Sequence, residues 1–105
     1  LVRASDLIGR WGGEEFLVMT PETALDGGST LGERLRRAVA DTPVILDTGE
    51  RVHVTISVGI AEYVVADADL ASLLSRADMA LYRAKANGRN RVELATPPEP
   101  LQPAA

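Results

Sequence analysis

The sequence predicts an α+β fold, an antiparallel sheet with helices packed on one side of it. Short apolar runs bounded by turn-forming residues indicate β-strands, and two longer segments place their apolar residues at helical spacing. The order of these elements along the chain is strand, strand, helix, hairpin, strand, helix, strand. That order fits a single α+β sandwich.

The first two predicted strands flank the segment Arg10-Trp11-Gly12-Gly13-Glu14-Glu15-Phe16, between Leu7-Ile8 and Phe16-Leu17-Val18-Met19. Glycine adopts positive φ without a Cβ penalty, so Gly12-Gly13 predicts the two-residue turn of a β-hairpin. The turn places Glu14-Glu15 at a sheet edge, where carboxylates can hold a hard divalent cation. Two glycines followed by acidic residues are also typical of an ordinary solvated hairpin tip.

The middle of the chain predicts a helix and a second hairpin. From about Leu25 to Ala40 the apolar positions fall at helical spacing, and Asp26 or Ser29 can cap the start of the helix. Asp41-Thr42-Pro43 ends it, because the residue before proline avoids the helical region. The apolar runs on either side of Thr48-Gly49 predict a hairpin that turns at this pair.

The next run, Val52 to Ile60, is the clearest predicted strand, because apolar residues alternate with small or polar ones over its whole length. His53 is the only histidine and lies on the polar face of this strand. No second histidine or any cysteine stands near it, so we interpret His53 as a surface residue and not as a metal ligand.

The last third of the chain predicts a second helix and a final strand. The helix begins at Asp67 or Asp69 and ends at Asn87-Gly88, and Arg91–Leu94 follows as the strand. Residues 96–105 are rich in proline, so we expect a disordered tail after one domain over residues 1–95.

Composition limits the classes of function. The 105 residues suit one domain, and 11 basic against 15 acidic residues give a net charge of −4. That balance supplies no broad basic face for a nucleic acid polymer. No apolar run approaches the roughly 20 residues of a membrane span, so we expect no membrane contact from this chain. The sequence has no cysteine and no signal-like start, so we expect a cytoplasmic location. A longer parent protein could still carry a membrane anchor outside these residues.

Three motifs follow one another along the chain: Arg3-Ala4-Ser5-Asp6, then Gly12-Gly13-Glu14-Glu15-Phe16, then Ala84-Lys85-Ala86-Asn87-Gly88-Arg89-Asn90-Arg91. In this order the chain resembles the C-terminal portion of the GGDEF domain of diguanylate cyclases, in its GGEEF form, from Leu1 to about Leu94. The resemblance implies a palm-like fold related to nucleotidyl cyclases, with the first strand and two helices missing before Leu1. We therefore expect exposed apolar surface in this chain.

The resemblance also implies a reaction, the condensation of two GTP into cyclic di-GMP with release of two pyrophosphates by an antiparallel homodimer. Glu14 and Glu15 match the catalytic acids that hold Mg²⁺ or Mn²⁺. Gly12 and Gly13 match the positions where the nucleotide lies against the hairpin backbone.

Lys85 and Arg89 match two cations that contact the GTP phosphates in that family. Cations near the C-terminal end of a helix also interact favourably with the helix dipole and commonly have no other role.

Arg3, Asp6 and Arg34 match an RxxD product-inhibition site, together with an additional arginine, that binds cyclic di-GMP. An arginine fork can hold phosphate or a guanine edge with two hydrogen bonds. Arg3 and Asp6 can alternatively form a surface ion pair of little energetic value.

Two functions follow for the protein. In one it is an enzyme, a diguanylate cyclase, although we expect the 105 residues alone to be inactive because half of the nucleotide site is missing. The alternative is a non-catalytic GGDEF module that binds cyclic di-GMP or GTP and has a regulatory role. Such modules typically have a damaged hairpin motif, and here the motif is intact.

Overall fold

The computed structural model describes residues 7–10, 16–19 and 23–97. This part of the chain contains two helices and three pairs of strands, which confirms the predicted α+β class. The elements in chain order are β1 (Leu7–Arg10), β2 (Phe16–Met19), α1 (Leu25–Asp41), β3 (Val44–Ile45), β4 (Arg51–Val52), β5 (Val58–Ile60), α2 (Leu70–Ala86) and β6 (Val92–Leu94). In residues 23–97 neither helix is long and apolar enough to cross a membrane.

Strands β1 and β2 form the first predicted hairpin. They pair antiparallel, with Leu7 opposite Met19 and Arg10 opposite Phe16. The two-residue turn predicted at Gly12-Gly13 lies outside the described residues.

Helix α1 spans the predicted segment, but the predicted cap was wrong. The N-cap is Ala24, which makes no side-chain capping bond. The helix begins one residue before Asp26, so that Asp26 lies in the first turn and its Oδ1 accepts from the Gly27 N–H at 2.9 Å. A carboxylate in the first turn is still favoured by the helix dipole.

The hairpin β3–β4 turns at Thr48-Gly49 as predicted, and Gly49 has a φ of +86°. The single strand predicted from Val52 to Ile60 was wrong, because residues 53–57 belong to no strand and separate β4 from β5. Alternation of apolar and polar residues shows which side chains share a face. A β-strand also needs backbone hydrogen bonds to a neighbouring strand, which the alternation does not reveal.

Apolar side chains on the hairpin and just after it are exposed to solvent. Ile45 is 65% exposed and Val44 is 47% exposed, although both belong to β3. Leu46, Val52 and Val54 are exposed as well. The expected exposure of apolar surface is therefore observed in this part of the chain.

Strands β5 and β6 are parallel, unlike the other two pairs, with Val58 opposite Val92 and Ile60 opposite Leu94. A parallel pair needs a crossover connection, and α2 supplies it. The ladder is extended by bonds from Val58 N–H to Arg91 O at 2.9 Å and from Ala95 N–H to Ile60 O at 2.7 Å. The β5–β6 pair therefore departs from the purely antiparallel sheet that the sequence predicts.

The two helices pack on opposite faces of the β5–β6 pair. A Cβ built on Gly32 of α1 would meet the side chains of Val58, Ile60 and Val92, whereas one on Gly59 would meet the backbone of α2. Neighbouring residues of a strand face opposite sides of a sheet. The prediction that both helices lie on one side was therefore wrong, and the layers are α1, sheet and α2.

Both ends of α2 are capped. Asp69 is the N-cap, and its Oδ1 accepts from the Ser72 N–H at 2.9 Å. At the other end Gly88 has a φ of +119°, and the Arg89 N–H bonds to the Ala84 carbonyl at 2.9 Å. This six-to-one bond around a left-handed glycine is a Schellman motif, as Asn87-Gly88 predicts.

Candidate functional site

Two of the predicted phosphate-contacting cations lie at the C-terminal end of α2. Lys85 is in the last turn of the helix and is half-buried. Arg89 follows the capping glycine, and its side chain is exposed. The fold therefore brings Lys85 and Arg89 to the same end of one helix.

The turn after α2 has an unusual backbone. Arg89 has a φ of +63° and Asn90 a φ of +47°, directly after the positive φ of Gly88. Apart from asparagine and aspartate, L-residues seldom adopt this left-handed region, so Arg89 is the unusual residue here. Within the described residues Arg89 and Asn90 are the only residues other than glycine with positive φ. Such positions cluster at functional sites, because the surrounding structure must hold them.

Arg36 of α1 contacts this turn. Its Nη1 donates to Asn90 Oδ1 at 2.9 Å, while Nε donates to Glu33 Oε2 at 2.9 Å and Nη2 bonds to Glu33 Oε1. Hydrogen bonding from Arg36, with a smaller contribution from Arg37, lowers the pKa of Glu33 to about 2. Glu33 therefore stays ionised at neutral pH and fixes the Arg36 guanidinium.

Arg34, the candidate product-binding arginine, lies on another face of α1. Two helical positions, about 200° of rotation, separate it from Arg36. Arg34 is exposed and lines a shallow groove with Ser29, Thr30, Glu33 and Arg37. The structure does not bring Arg34 to the turn that holds Arg89.

The remaining candidate residues lie outside the described residues; they are Arg3, Asp6, Gly12, Gly13, Glu14 and Glu15. Residues 7–10, 16–19 and 23–97 hold no group of three or more His, Asp or Glu side chains suited to a metal. His53 is exposed, which agrees with its interpretation as a surface residue, although it belongs to no strand.

Residues 1–91 match the family model described as "Diguanylate cyclase, GGDEF domain". The chain belongs to the GGDEF family. Diguanylate cyclase DgcP of Pseudomonas aeruginosa is 47% identical over 94 residues, which are 90% of this chain and 14% of that protein. Diguanylate cyclase A of Treponema denticola is 41% identical over 92 residues, which are 88% of this chain and 24% of that protein. The chain thus spans about a quarter or less of these relatives.

Solved GGDEF domains share the fold. The GGDEF domain of DgcB from Caulobacter crescentus, solved in complex with c-di-GMP, superposes with a TM-score of 0.82 at 34% identity, covering 88% of this chain and 53% of that one. The active GGEEF domain of a diguanylate cyclase from Vibrio cholerae gives a TM-score of 0.79 at 33% identity. The superposition covers 89% of this chain and 58% of that one. This GGDEF chain therefore spans a little over half of those two chains.

Sequence reasoning missed two features of this GGDEF chain, the Arg36–Asn90 contact and an ion pair between Asp67 and Arg76. Arg36 stands four residues after Gly32, the residue by which α1 approaches β5. Arg76 stands four residues before the buried Ala80 of α2. Helical spacing places both arginines on the inner face of their helix, where a guanidinium needs a polar partner. That inward position was the signal in the sequence that each arginine bonds to another part of the fold.

Proposed function

We propose that this chain is the C-terminal part of a catalytic GGDEF domain that condenses two GTP into cyclic di-GMP and two pyrophosphates. The placement of two cations, Lys85 and Arg89, at one end of α2 is the observation that carries the proposal. Two cations at the same end of a helix suit a polyphosphate, whose charge is spread over several oxygens.

The chemistry asks the protein mainly for positioning and charge stabilisation. Each 3′-hydroxyl attacks the α-phosphorus of the facing GTP, a phosphodiester bond forms, and pyrophosphate leaves. Two such steps close the ring, so both nucleotides must face each other, and an antiparallel homodimer supplies that arrangement. Lys85 and Arg89 would bind phosphate oxygens in each half.

Glu14 and Glu15 would hold Mg²⁺ or Mn²⁺. Adjacent carboxylates provide the hard oxygen ligands that both ions prefer, so this donor set fits the metal. When bound, the ion supplies charge neutralisation on the phosphates. Gly12 and Gly13, with no side chains, would leave the hairpin backbone open to the nucleotide.

A second site would bind the product. Arg3 and Asp6 fit the RxxD pattern, and Arg34 offers an exposed guanidinium on α1 beside a shallow groove. Guanidinium groups suit both the phosphates and the guanine edges of cyclic di-GMP. Binding there would restrain turnover when product accumulates.

The 105 residues alone would turn over little GTP, because they span only about half of the solved GGDEF chains. The test is incubation of this chain with GTP and Mg²⁺, with chromatographic separation of products and equilibrium binding of GTP. We expect GTP binding that weakens in Glu14→Gln and in Arg89→Ala, with little cyclic di-GMP formed. A folded chain that binds no GTP at millimolar concentration would contradict the proposed nucleotide site.

A further inference from the structure

The backbone conformation of the turn after α2 determines the direction in which the Arg89 side chain extends. The turn is fixed at both ends, because the Arg89 N–H bonds to Ala84 O at 2.9 Å and the Arg91 carbonyl accepts from the Val58 N–H at 2.9 Å. Between these bonds Arg89 and Asn90 both have positive φ. Asparagine is enriched in this conformation, but arginine seldom adopts it, so contacts from elsewhere in the fold must support the turn at Arg89.

Arg36 provides such a contact from α1. Its Nη1 donates to Asn90 Oδ1 at 2.9 Å, and two other guanidinium nitrogens bond to Glu33. The Arg36 side chain is only 19% exposed. A planar donor held at three nitrogens has little freedom, so the Asn90 side chain meets a donor in a fixed position.

We propose that Arg36 is a positioning residue that acts on Arg89 through Asn90. By bonding Asn90 in its left-handed conformation, Arg36 keeps the preceding residue left-handed as well and aims the Arg89 guanidinium at the phosphate. If the turn relaxed to negative φ, the Arg89 side chain would leave the backbone in another direction. This inference rests on the phosphate role proposed above for Arg89.

Arg37 is the matched control within the same helix. Its Nε donates to Glu33 Oε1 at 3.0 Å, so it shares the carboxylate that Arg36 uses. Its side chain is 70% exposed, and no hydrogen bond joins it to the turn in the part of the chain that the structure describes. Loss of Arg37 removes a cation and a bond to Glu33 but leaves the Arg36–Asn90 bond in place.

The test is a nuclear magnetic resonance titration of the 105-residue chain with GTP in the presence of Mg²⁺. It is combined with hydrogen exchange of the Arg89 amide, which reports the bond to Ala84. We expect Arg36→Ala and Arg89→Ala to weaken GTP binding by roughly tenfold, the loss of one charge-assisted hydrogen bond. Arg37→Ala should stay within roughly twofold. Exchange of the Arg89 amide should accelerate in Arg36→Ala and not in Arg37→Ala.

A rescue variant separates positioning from general stability. Glycine adopts positive φ without strain, so Asn90→Gly in the Arg36→Ala background should recover most of the lost affinity and slow the Arg89 amide exchange again. If Arg36→Ala does not fold, Asn90→Ala removes the acceptor while leaving α1 intact, and we expect the same loss of affinity.

The outcomes distinguish this inference from the proposed function. Weak binding in Arg89→Ala, together with wild-type binding in Arg36→Ala and Asn90→Ala, would overturn the positioning role and leave the phosphate role of Arg89 standing. Unchanged binding in Arg89→Ala would overturn the phosphate role and the positioning role together. Loss of affinity in Arg36→Ala without rescue by Asn90→Gly would assign Arg36 to overall stability and overturn the inference.

Discussion

The guanidinium of Arg76 holds the Asp67 carboxylate with two hydrogen bonds, Nε to Oδ1 at 3.0 Å and Nη2 to Oδ2 at 2.6 Å. Asp67 is 4% exposed and also accepts from the Val64 N–H at 3.0 Å. The same guanidinium donates to the carbonyls of Glu62 at 2.7 Å and Thr96 at 3.2 Å. One arginine of α2 therefore joins the loop after β5 to the segment after β6.

This ion pair predicts a pH dependence of stability. Hydrogen bonding from Arg76 and from the Val64 amide lowers the pKa of Asp67. A carboxyl whose pKa is lower in the folded state stabilises that state fully above its unfolded pKa of about 3.9. The contribution is lost as the pH falls through the folded-state pKa. The free energy of unfolding should therefore fall as the pH decreases below about 4.

The measurement is denaturant unfolding between pH 7 and pH 3 of the wild type and Asp67→Asn. We expect the variant to be less stable at pH 7, because Arg76 keeps its buried charge without a carboxylate. Its stability should also depend less on pH below about 4. Asp78→Asn removes an exposed carboxylate from α2 and is the matched control. A variant with the wild-type pH slope would contradict the role of Asp67.

The closest approach of β5 to α2 predicts a severe effect at Gly59. A Cβ at this position would clash with the Ala77 carbonyl oxygen and the Leu81 amide nitrogen, which are backbone atoms that cannot move independently. We expect Gly59→Ala to lower the free energy of unfolding by about 3 kcal/mol. In Gly32→Ala the added Cβ meets the Cδ1 end of the Ile60 side chain at 2.7 Å, which can rotate away, so its loss should be smaller. Equal losses in thermal or denaturant unfolding would contradict this account.

The N-cap of α2 gives a milder prediction. Asp69 Oδ1 accepts from the Ser72 N–H at 2.9 Å and from the Ser72 hydroxyl at 3.0 Å. Asp69→Ala should cost about 1 kcal/mol of unfolding free energy, and Asp69→Asn, which retains a capping oxygen, should cost much less. Chemical denaturation of both variants checks this, and no difference between them would show that the cap contributes little.

Local signals in the sequence predicted the bounds of the helices and the turns at Thr48-Gly49 and Asn87-Gly88. Spacing at 3.6 residues placed α1 within one residue of its observed ends, and Thr48-Gly49 marked its hairpin correctly because the turn requires a residue with positive φ. Asn87-Gly88 ended α2 for the same reason. These features depend on a few neighbouring residues, which is why the sequence reveals them.

Pairing between distant segments was not predictable in the same way. The alternation from Val52 to Ile60 shows a strand-like pattern, but only Val58–Ile60 and Arg51-Val52 find a neighbouring strand in the described residues. The contact of Arg36 with Asn90 joins residues 54 positions apart in sequence. The sequence identified Lys85 and Arg89 as candidate cations by resemblance and placed both near the predicted end of the second helix. Only the fold shows that Arg36 of α1 contacts the turn that carries Arg89.

The proposed product site predicts a selective loss of binding. Arg34→Ala should weaken binding of cyclic di-GMP by roughly tenfold or more, because a guanidinium bonded to phosphate or guanine contributes a charge-assisted hydrogen bond. Isothermal titration calorimetry with cyclic di-GMP measures the dissociation constant of each variant. Arg37→Ala, which removes another exposed cation of the same groove, is the control. Equal losses in both variants would indicate a general charge effect and not a specific site.

A hybrid enzyme tests directly whether this chain is part of a catalytic GGDEF domain. The part of this chain that aligns with diguanylate cyclase DgcP replaces the matching segment of that enzyme, and formation of cyclic di-GMP from GTP and Mg²⁺ is measured. We expect the hybrid to form cyclic di-GMP and the hybrid that carries Glu14→Gln to form none. A folded hybrid that makes no cyclic di-GMP, beside active DgcP, would contradict the assignment of a catalytic GGDEF segment to this chain.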